Sequence, residues 1–452
     1  MVEPRAAPVY AKGFAVTSGL GMTRAVLANA SWMMIERVVT MAVNLVVTLW
    51  LAHALGPEVF GQLAYVLAAV TLVLPLAALG VNDVVTRELV EGHHARKQVM
   101  ATTLGMRLIG AILGLGLLLA WVLLADDLAL DARMALAVLA LASVTQAVQV
   151  VRFFFQAQLA HKPISLVRSG VVLVSGIGKI LVAWWTQDLF WIAAVFAADY
   201  VFTDGGLLLL YRQATRSWLS LRDFSFDYAR QLFRQTGWLL LSGVAAAIYL
   251  KIDQIMLGHM TSDDVLGNYA LAARLSEAWY FLAVAIVSSY FTVLMKHREE
   301  RPQWFAARVQ QLVDAMLLLS LSIAVVVSFA SPVVVPWLFG AEYQASAAIL
   351  AVHIWAGVFV FMRAVASKWL LAKRYMPFSL VTHGLGAVFN VAANLWLIPR
   401  YGGMGAALAT VLAYAMAGYF SFWCSAKTRP MARQMTHALL LPLTLGYRYW
   451  RR

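Results

Sequence analysis

The chain has 452 residues, of which 62% are hydrophobic and only 13% charged, and its formal net charge is +13. Soluble globular domains carry roughly 45–50% apolar and about 25% charged residues, so a water-soluble fold of this length is excluded. The basic residues fall in short gaps between apolar runs, which is typical of membrane orientation and not of a nucleic-acid groove. The single cysteine, Cys424, excludes an intrachain disulfide and a cysteine-based metal site. We therefore expect no metal, cofactor or nucleic acid.

A helix that crosses the hydrocarbon needs about twenty mostly apolar residues. Such runs occur near 28–52, 59–81, 99–124, 134–158, 164–185, 189–211, 235–257, 265–295, 309–335, 345–372, 377–398 and 403–424. The predicted fold class is therefore an all-α integral membrane protein of about twelve transmembrane helices. Pro332 and Pro336 lie near the end of the ninth run, where they are candidates to break the helix.

The connectors alternate in charge, which predicts the orientation in the membrane. Basic residues are concentrated within 5–24, 87–97, 212–234, 296–308, 373–374 and 427–452, and acidic residues in the opposite connectors. Since Lys and Arg are retained on the cytoplasmic side, both termini are predicted to be cytoplasmic. No removable signal peptide is expected, because the first spanning helix can direct insertion. The tail 437–452 is predicted to lie on the cytoplasmic membrane surface, with a disordered basic tail as the alternative.

Two pairs of segments indicate an internal repeat. The segment GPEVFGQLA at 56–64 aligns with SDDVLGNYA at 262–270, and KPISLVRSG at 162–170 aligns with MPFSLVTHG at 376–384. Both pairs fall at equivalent points of the topology, which predicts two parallel six-helix lobes with the substrate at their interface. The predicted parts are a cytoplasmic segment 1–27, an N-lobe 28–211, a cytoplasmic linker 212–234, a C-lobe 235–424 and a basic tail 425–452.

Ionisable residues inside spans are costly, so they usually face a cavity or a partner. Residues three, four, seven or eleven apart share a helix face, and this spacing defines polar stripes in five spans. The stripes are Arg37, Thr40, Asn44 and Thr48; Thr145, Gln149, Arg152 and Gln156; Arg168, Ser175 and Lys179; Ser242, Tyr249 and Asp253; and His383, Asn390 and Asn394. Stripes in so many helices predict a shared wet cavity.

The members of this cavity fall into two predicted groups. The substrate-binding candidates are Arg37, Asn44, Arg152, Lys179, Lys368, His383, Asn390 and Asn394. Unpaired Arg and Lys suit an anionic cargo, because guanidinium groups bind phosphate oxygens bidentately and lysine acts as a point charge. Lys179 in particular has no acidic residue within helical reach. Asp253 and Glu277 are the candidates for titration that couples proton or sodium movement to transport.

Each stripe also has a structural alternative. Arg274 and Glu277 are three residues apart and could neutralise one another within one helix. Glu36 and Arg37 could anchor the cytoplasmic end of the first span, and Lys368 could extend to the interface. His383 and the two asparagines could hold helices together by hydrogen bonds.

Four further segments carry a family resemblance. They are LAHALGPEVFGQLAYVLA at 51–68 with LAALGVNDVVTREL at 76–89, KIDQIMLGHMTSDDVLGNYALAARL at 251–275, PWLFGAEYQASAAIL at 336–350 and LIPRYGGMGAALATVLAY at 397–414. Together they resemble the Wzx-type polysaccharide transporter family, within the multidrug/oligosaccharidyl-lipid/polysaccharide flippase superfamily. The resemblance implies a V-shaped molecule of two lobes around a cationic cavity. It also implies that undecaprenyl-pyrophosphate-linked oligosaccharide is moved across the bacterial inner membrane, with a polysaccharide polymerase and ligase as further partners.

Two other functional classes remain as alternatives. A cation-coupled multidrug exporter of the same superfamily would share the architecture and favour a carboxylate-rich pocket. A membrane ligase or polymerase would usually display a long extracytoplasmic loop with its catalytic residues, whereas the outward connectors here are only about a dozen residues long by the span spacing. No covalent chemistry is therefore expected.

Overall fold

The computed structural model describes residues 19–125 and 128–442, and it describes only the backbone of 19–27, 82, 83, 292 and 296. Within these ranges the chain is helical and contains no strand. The helices are α1 (Gly19–Ala78), α2 (Asn82–Glu91), α3 (Arg96–Leu124), α4 (Leu130–Ser143), α5 (Val150–Ala157), α6 (Lys162–Trp185), α7 (Leu189–Thr215), α8 (Phe226–Met260), α9 (Asp263–Glu277), α10 (Tyr280–Lys296), α11 (Pro302–Phe339), α12 (Gln344–His353), α13 (Ala356–Ala372), α14 (Phe378–Gly418) and α15 (Arg429–Leu439). The all-α membrane fold is thereby confirmed.

Nine helical segments of the described chain are long and apolar enough to cross a membrane, and a tenth is counted if the bent pair 341–353 and 356–372 forms one span. The pair is bent by 44°. Two of the nine each hold a break, at Gly56 in α1 (φ 72°, ψ 171°) and at Gly402 in α14 (φ 53°, ψ −131°). Glycine has no Cβ and adopts positive φ readily, so both breaks occur where the sequence permits them. The layout of twelve spans stays a prediction.

The helix of the ninth predicted run is not broken at its prolines. α11 continues through Pro332 and Pro336 as far as Phe339. Membrane helices tolerate proline where neighbouring groups satisfy the freed backbone atoms. Here the carbonyl of Pro336 accepts the amide of Gly340 at 2.9 Å, so the last turn keeps its hydrogen bond. The expected break is therefore wrong.

Local sequence explains several helix ends. Asp188 caps α7, because its side chain accepts the amide of Phe190 at 2.8 Å. α6 carries Pro163 in its first turn, where proline costs no helical hydrogen bond. The fourth predicted span is interrupted by a 3-10 segment, Val144–Gln149, between α4 and α5. This segment changes which side chains share a face, because a 3-10 helix has three residues per turn.

The described chain divides into two compact units. Among the described residues, unit 1 holds 19–54 and 69–240, and unit 2 holds 55–68 and 241–442. The apolar core of unit 1 includes Phe153, Phe154 and Tyr211. The larger core of unit 2 lies between α10, α11, α13 and α15 and includes Phe361 and Met435.

Unit 2 contains a close approach between the first pair of aligned segments. A Cβ atom on Gly61 would lie 2.0 Å from the carbonyl oxygen of Asp263, and one on Gly267 would lie 1.8 Å from the carbonyl oxygen of Pro57. Real Cβ atoms do not come this close, so only glycine fits either position. Gln62 adds a hydrogen bond across the contact, to Asp263 at 2.8 Å. The glycines of the second aligned pair, Gly170 and Gly384, have open space around them.

The C-terminal part of the described chain packs on protein. α15 contacts α11 through its buried residues Met431, Ala432, Met435 and Ala438. The predicted surface segment 437–452 begins in the last turn of this helix, and its residues 443–452 lie outside the described part of the chain. The N-terminal basic residues Arg5 and Lys12 and the connector residues Asp126 and Asp127 also lie outside it.

Candidate functional site

Unit 1 contains a buried cluster of charge around Glu36 of α1. One carboxylate oxygen of Glu36 lies 2.6 Å from Nε2 of His161, and the other accepts a hydrogen bond from the guanidinium of Arg168 on α6. The backbone amide of His161 also donates to Asn29 of α1, at 2.8 Å. Glu36 is only 5% exposed. Its two oxygens thus bind Arg168 of α6 and His161 just before that helix, and the alternative that Glu36 anchors a helix end stays a prediction.

Two further arginines of unit 1 lie near this cluster. Arg152 of α5 is within electrostatic range of Arg168, Glu36 and Asp204. Arg107 of α3 is buried, and its Nη2 donates to the carbonyl of Gln146 at 2.9 Å. The Nε atoms of both arginines are buried and make no hydrogen bond with any residue that the structure describes. A buried N–H without an acceptor is costly, so each of these groups would gain from an acceptor brought to it.

Lys179 of α6 is not the unpaired cation that the sequence predicts. Its ammonium group forms an ion pair with Asp199 of α7 and lies 4.0 Å from the ring centre of Phe196. Helix periodicity within α6 could not reveal this partner, because Asp199 lies on another helix. The expectation of an unpaired Lys179 is wrong, while its binding role stays a prediction.

Asp204 of α7 is the other buried carboxylate of unit 1. Its Oδ2 accepts the hydroxyl proton of Thr145 at 2.8 Å, and its Oδ1 has no hydrogen-bond partner within the described ranges. The charged groups just described in unit 1 are four cations and three carboxylates, one positive charge in excess when His161 is neutral. They are Arg107, Arg152, Arg168, Lys179, Glu36, Asp199 and Asp204.

Unit 2 holds a different kind of carboxylate. Asp253 of α8 is 3% exposed and accepts the hydroxyl proton of Tyr269, and the hydroxyl of Thr410 lies 3.3 Å from the same oxygen. The backbone amide of Gln254 donates to its other oxygen at 2.9 Å. Asp253 forms no ion pair with any residue that the structure describes. A buried carboxylate held only by neutral donors can lose or gain a cation without breaking a salt bridge.

Glu277 of α9, the second coupling candidate, is already paired. Nζ of Lys251 lies 3.2 Å from one of its oxygens and 3.3 Å from the other. Arg274 of the same helix also lies within electrostatic range of Glu277, so the alternative that the two neutralise one another stays a prediction. His353 of α12 is buried within electrostatic range of this pair.

The polar stripe of α14 faces α8. Nδ1 of His383 lies 2.8 Å from the hydroxyl of Ser242, and its ring stacks on Tyr249 with centres 5.6 Å apart. Asn394 donates to Asn390 at 2.6 Å, and Asn390 donates to the carbonyl of Tyr249 at 3.5 Å. His383 and Asn390 thus form the interhelical hydrogen bonds of the structural alternative, whereas Asn394 bonds Asn390 on its own helix. A contact with substrate stays a prediction.

The remaining substrate-binding candidates have no polar partner in the described chain. Arg37 and Asn44 are exposed on α1, and Lys368 is half-buried on α13. Arg37 lies next to Glu36 in sequence but is exposed, whereas Glu36 is buried. The sequence reasoning also missed His161, because no local spacing links it to a glutamate 125 residues earlier.

Comparisons with known proteins agree on family and fold. Residues 26–298, more than half of the chain, match the family described as polysaccharide biosynthesis protein. A probable low-salt glycan biosynthesis flippase, Agl15 of Haloferax volcanii, is 23% identical over 221 residues, which are 46% of this chain and 45% of that protein. The chain spans less than half the length of the curated relatives it matches.

Two solved structures share the fold. The lipid II flippase MurJ in an inward closed conformation superposes with a TM-score of 0.69 at 12% identity, over 92% of this chain and 91% of that one. An inward-facing multidrug transporter of the MATE family, in the MOP superfamily, superposes with a TM-score of 0.66 at 14% identity, over 88% and 99%. At such identities the similarity concerns the fold. This multi-pass membrane protein therefore has the fold of the MOP superfamily and belongs to the polysaccharide biosynthesis protein family.

Proposed function

We propose that this protein is a flippase for lipid-linked oligosaccharide. It would translocate undecaprenyl-pyrophosphate-linked oligosaccharide across the bacterial cytoplasmic membrane, for O-antigen, capsule or exopolysaccharide assembly, and act beside a polymerase and a ligase. The observation that carries the proposal is the buried, arginine-rich cluster of unit 1 in a member of a polysaccharide biosynthesis family. The names of two similar proteins support the same class, since one is a probable glycan flippase and the other a lipid II flippase.

The chemistry of unit 1 favours an anionic head group. Charged residues inside a membrane protein are costly and usually serve a cargo or a relay. Guanidinium groups bind phosphate oxygens with two parallel hydrogen bonds. The guanidinium groups of Arg107 and Arg152, whose buried Nε atoms lack an acceptor, would bind the pyrophosphate, with Arg37, Lys179 and Lys368 as further candidate cations. Asn44, His383, Asn390 and Asn394 would contact the sugars.

Ion coupling is proposed to use Asp253. A carrier needs two states that bind cargo and coupling ion differently, and no covalent step. Asp253 suits this role better than Glu277, because its buried carboxylate is held by Tyr269, Thr410 and a backbone amide and not by a cation. Proton or sodium would then occupy the carboxylate in one state and leave it in the other.

The proposed topology has twelve spans, with both termini in the cytoplasm. Nine apolar helical segments and one bent pair are counted in the described chain, and each of the two glycine breaks would divide one segment into two spans. The six-helix lobes 28–211 and 235–424 follow from the same proposal. Tagging the connectors with cysteines and labelling them from one side of the membrane would test this order.

Complementation tests the function. The gene is expressed in a strain that lacks its own oligosaccharide flippase, and surface glycan is measured beside the level of membrane protein. Restored glycan supports the proposal. Normal protein level with no glycan, together with drug resistance, would favour the multidrug exporter, which shares the fold through its MATE relatives. Glycan formed by cell-free membranes without any translocation step would instead favour a ligase or polymerase.

A further inference from the structure

A compact group of histidine and glutamate side chains lies at the C-terminal end of α2, apart from the buried clusters described above. Glu88 and Glu91 are three residues apart and share one face of the helix. α2 ends at Gly92, whose φ of 72° turns the chain so that His93 lies beside both carboxylates. Nδ1 of His93 is 3.4 Å from Oε2 of Glu91 and 3.7 Å from Oε2 of Glu88.

We propose that Glu88, Glu91 and His93 form a binding site for a divalent transition-metal ion, with Zn²⁺ as the best match. Carboxylate oxygens and imidazole nitrogens bind Zn²⁺ at about 2.0–2.2 Å, so two ligand atoms of a tetrahedral site stand roughly 3.3 Å apart. The ligand atoms of the three residues all lie within 4.8 Å of one another. Small side-chain rotations therefore complete three corners of a tetrahedron, and water occupies the fourth.

His94 supports the site from outside. Its Nδ1 lies 2.6 Å from Oε1 of Glu88, which leaves Oε2 of the same carboxylate to face the metal. Outer hydrogen bonds of this kind fix the orientation of metal-binding carboxylates. The ring of His94 also packs on Tyr228 of α8, with centres 4.4 Å apart. Metal binding would thus connect the end of α2 to the start of α8 within unit 1.

The charge of Glu88 is favoured by its histidine neighbours. Partial burial raises the pKa of Glu88, but the hydrogen bond and charge of His94 and the charge of His93 lower it by more, so it lies below its usual value. Arg87 is the cation now nearest to Glu91, with Nε 3.9 Å from its Oε2. Because Arg87 is 60% exposed, it can move aside at little cost.

This inference departs from the expectation that the chain holds no metal. The single cysteine excludes only cysteine-based metal sites, and the run ELVEGHH at 88–94 has no cysteine. Its signal is the pair of glutamates one helical turn apart, followed by a glycine that ends the helix and by two histidines. Neither the glutamates nor the histidines alone would predict a metal site.

The test measures Zn²⁺ affinity in the purified full chain. The protein is prepared in detergent without a histidine tag, stripped with a chelator and titrated with Zn²⁺ against a chromophoric competitor. One site per chain is expected, and His93→Ala and Glu91→Gln should each weaken its affinity at least tenfold. Co²⁺ in place of Zn²⁺ should show the visible absorption of a tetrahedral site in the wild-type protein and lose it in both variants.

The matched control is His297→Ala. His297 lies 3.8 Å from Glu300 in an exposed histidine–glutamate pair, and no third ligand joins this pair among the described residues. This variant should keep the wild-type affinity, and Arg87→Gln should keep or improve it. The proposal is overturned if the wild-type chain lacks the site, or if both ligand variants bind Zn²⁺ as tightly as wild type. Since no transport is measured, a negative result leaves the flippase proposal untouched.

Discussion

Lys179 of α6 and Asp199 of α7 form an ion pair between neighbouring helices of one unit, with the lysine ammonium group 4.0 Å from the ring centre of Phe196. The lysine side chain is only 3% exposed, whereas that of Asp199 is 18% exposed. Removing one partner of a buried pair usually costs about 3–5 kcal/mol, because the other charge stays buried without compensation. The ion pair therefore stabilises the packing of α6 on α7, in addition to any contact that Lys179 makes with substrate.

Lys179→Ala should lower both surface glycan and the amount of folded protein, since Asp199 is left as a lone charge. Lys179→Ala combined with Asp199→Asn should recover the protein level, because the second change neutralises that charge. Membrane protein level and glycan are measured together. If glycan stays absent in the double variant at normal protein level, Lys179 also serves the cargo; if glycan returns, its role is structural. Wild-type glycan and protein level in the single variant would contradict the ion pair itself.

Arg152 should matter for transport more than exposed arginines do. Hydrogen bonds to charged groups contribute about 1.5–3 kcal/mol, so Arg152→Gln should reduce glycan export roughly tenfold or more at equal protein level. Arg400→Gln is the matched control, because Arg400 is exposed and donates to the carbonyl of Trp396 on its own helix. Equal export by the two variants would remove Arg152 from the binding proposal.

Asp253→Asn should uncouple transport from the ion gradient that drives it. The amide oxygen can still accept from Tyr269, at the loss of the hydrogen bond from the backbone amide of Gln254, but the side chain cannot titrate or hold a cation by charge. In proteoliposomes the variant should flip a fluorescent lipid-linked sugar at a rate independent of the imposed proton or sodium gradient. Tyr269→Phe removes only the hydroxyl and should keep part of the gradient dependence. A gradient response like that of the wild type in Asp253→Asn would exclude this carboxylate as the coupling group.

Gly61→Ala and Gly267→Ala should both reduce folded protein, because each new methyl group would meet backbone carbonyl atoms. Overpacking of this kind typically costs about 1–3 kcal/mol. Gly170→Ala and Gly384→Ala are matched controls, since these helix-interior glycines have nothing within 4 Å. The controls should gain slightly in thermal midpoint from the better helix propensity of alanine. Fluorescence-detected gel filtration after heating measures all four, and a tolerated Gly61→Ala would contradict the close contact.

Properties that follow from helix periodicity could be predicted from the sequence. Asn390 and Asn394 are four residues apart and hydrogen-bond each other, as one face of a helix requires. The stripe of the fourth span was less regular than 3.6 residues per turn implies, because Val144–Gln149 is a 3-10 segment. There Thr145 bonds Asp204 on another helix, whereas Gln149 bonds Gln146 of its own segment.

Partners on different helices could not be predicted in this way. Glu36 and His161 are separated by 125 residues, and Lys251 and Glu277 by 26, so only the packing of helices brings them together. A charged residue inside a membrane span is costly, so its presence predicts that it has a partner. The identity of the partner depends on the order and rotation of the packed helices. Residue spacing within one helix predicts neither of them.

The contact of Gly61 with Asp263 is mirrored by that of Gly267 with Pro57, and both pairs are related by the same shift of 206 residues along the chain. When residue i of one copy meets residue j of another and j meets i in return, the interface is isologous, as in a twofold dimer. One chain here carries both sides of such an interface. The segments 56–64 and 262–270 therefore pack as a local twofold pair within unit 2, so a glycine and its counterpart 206 residues later are under the same steric constraint.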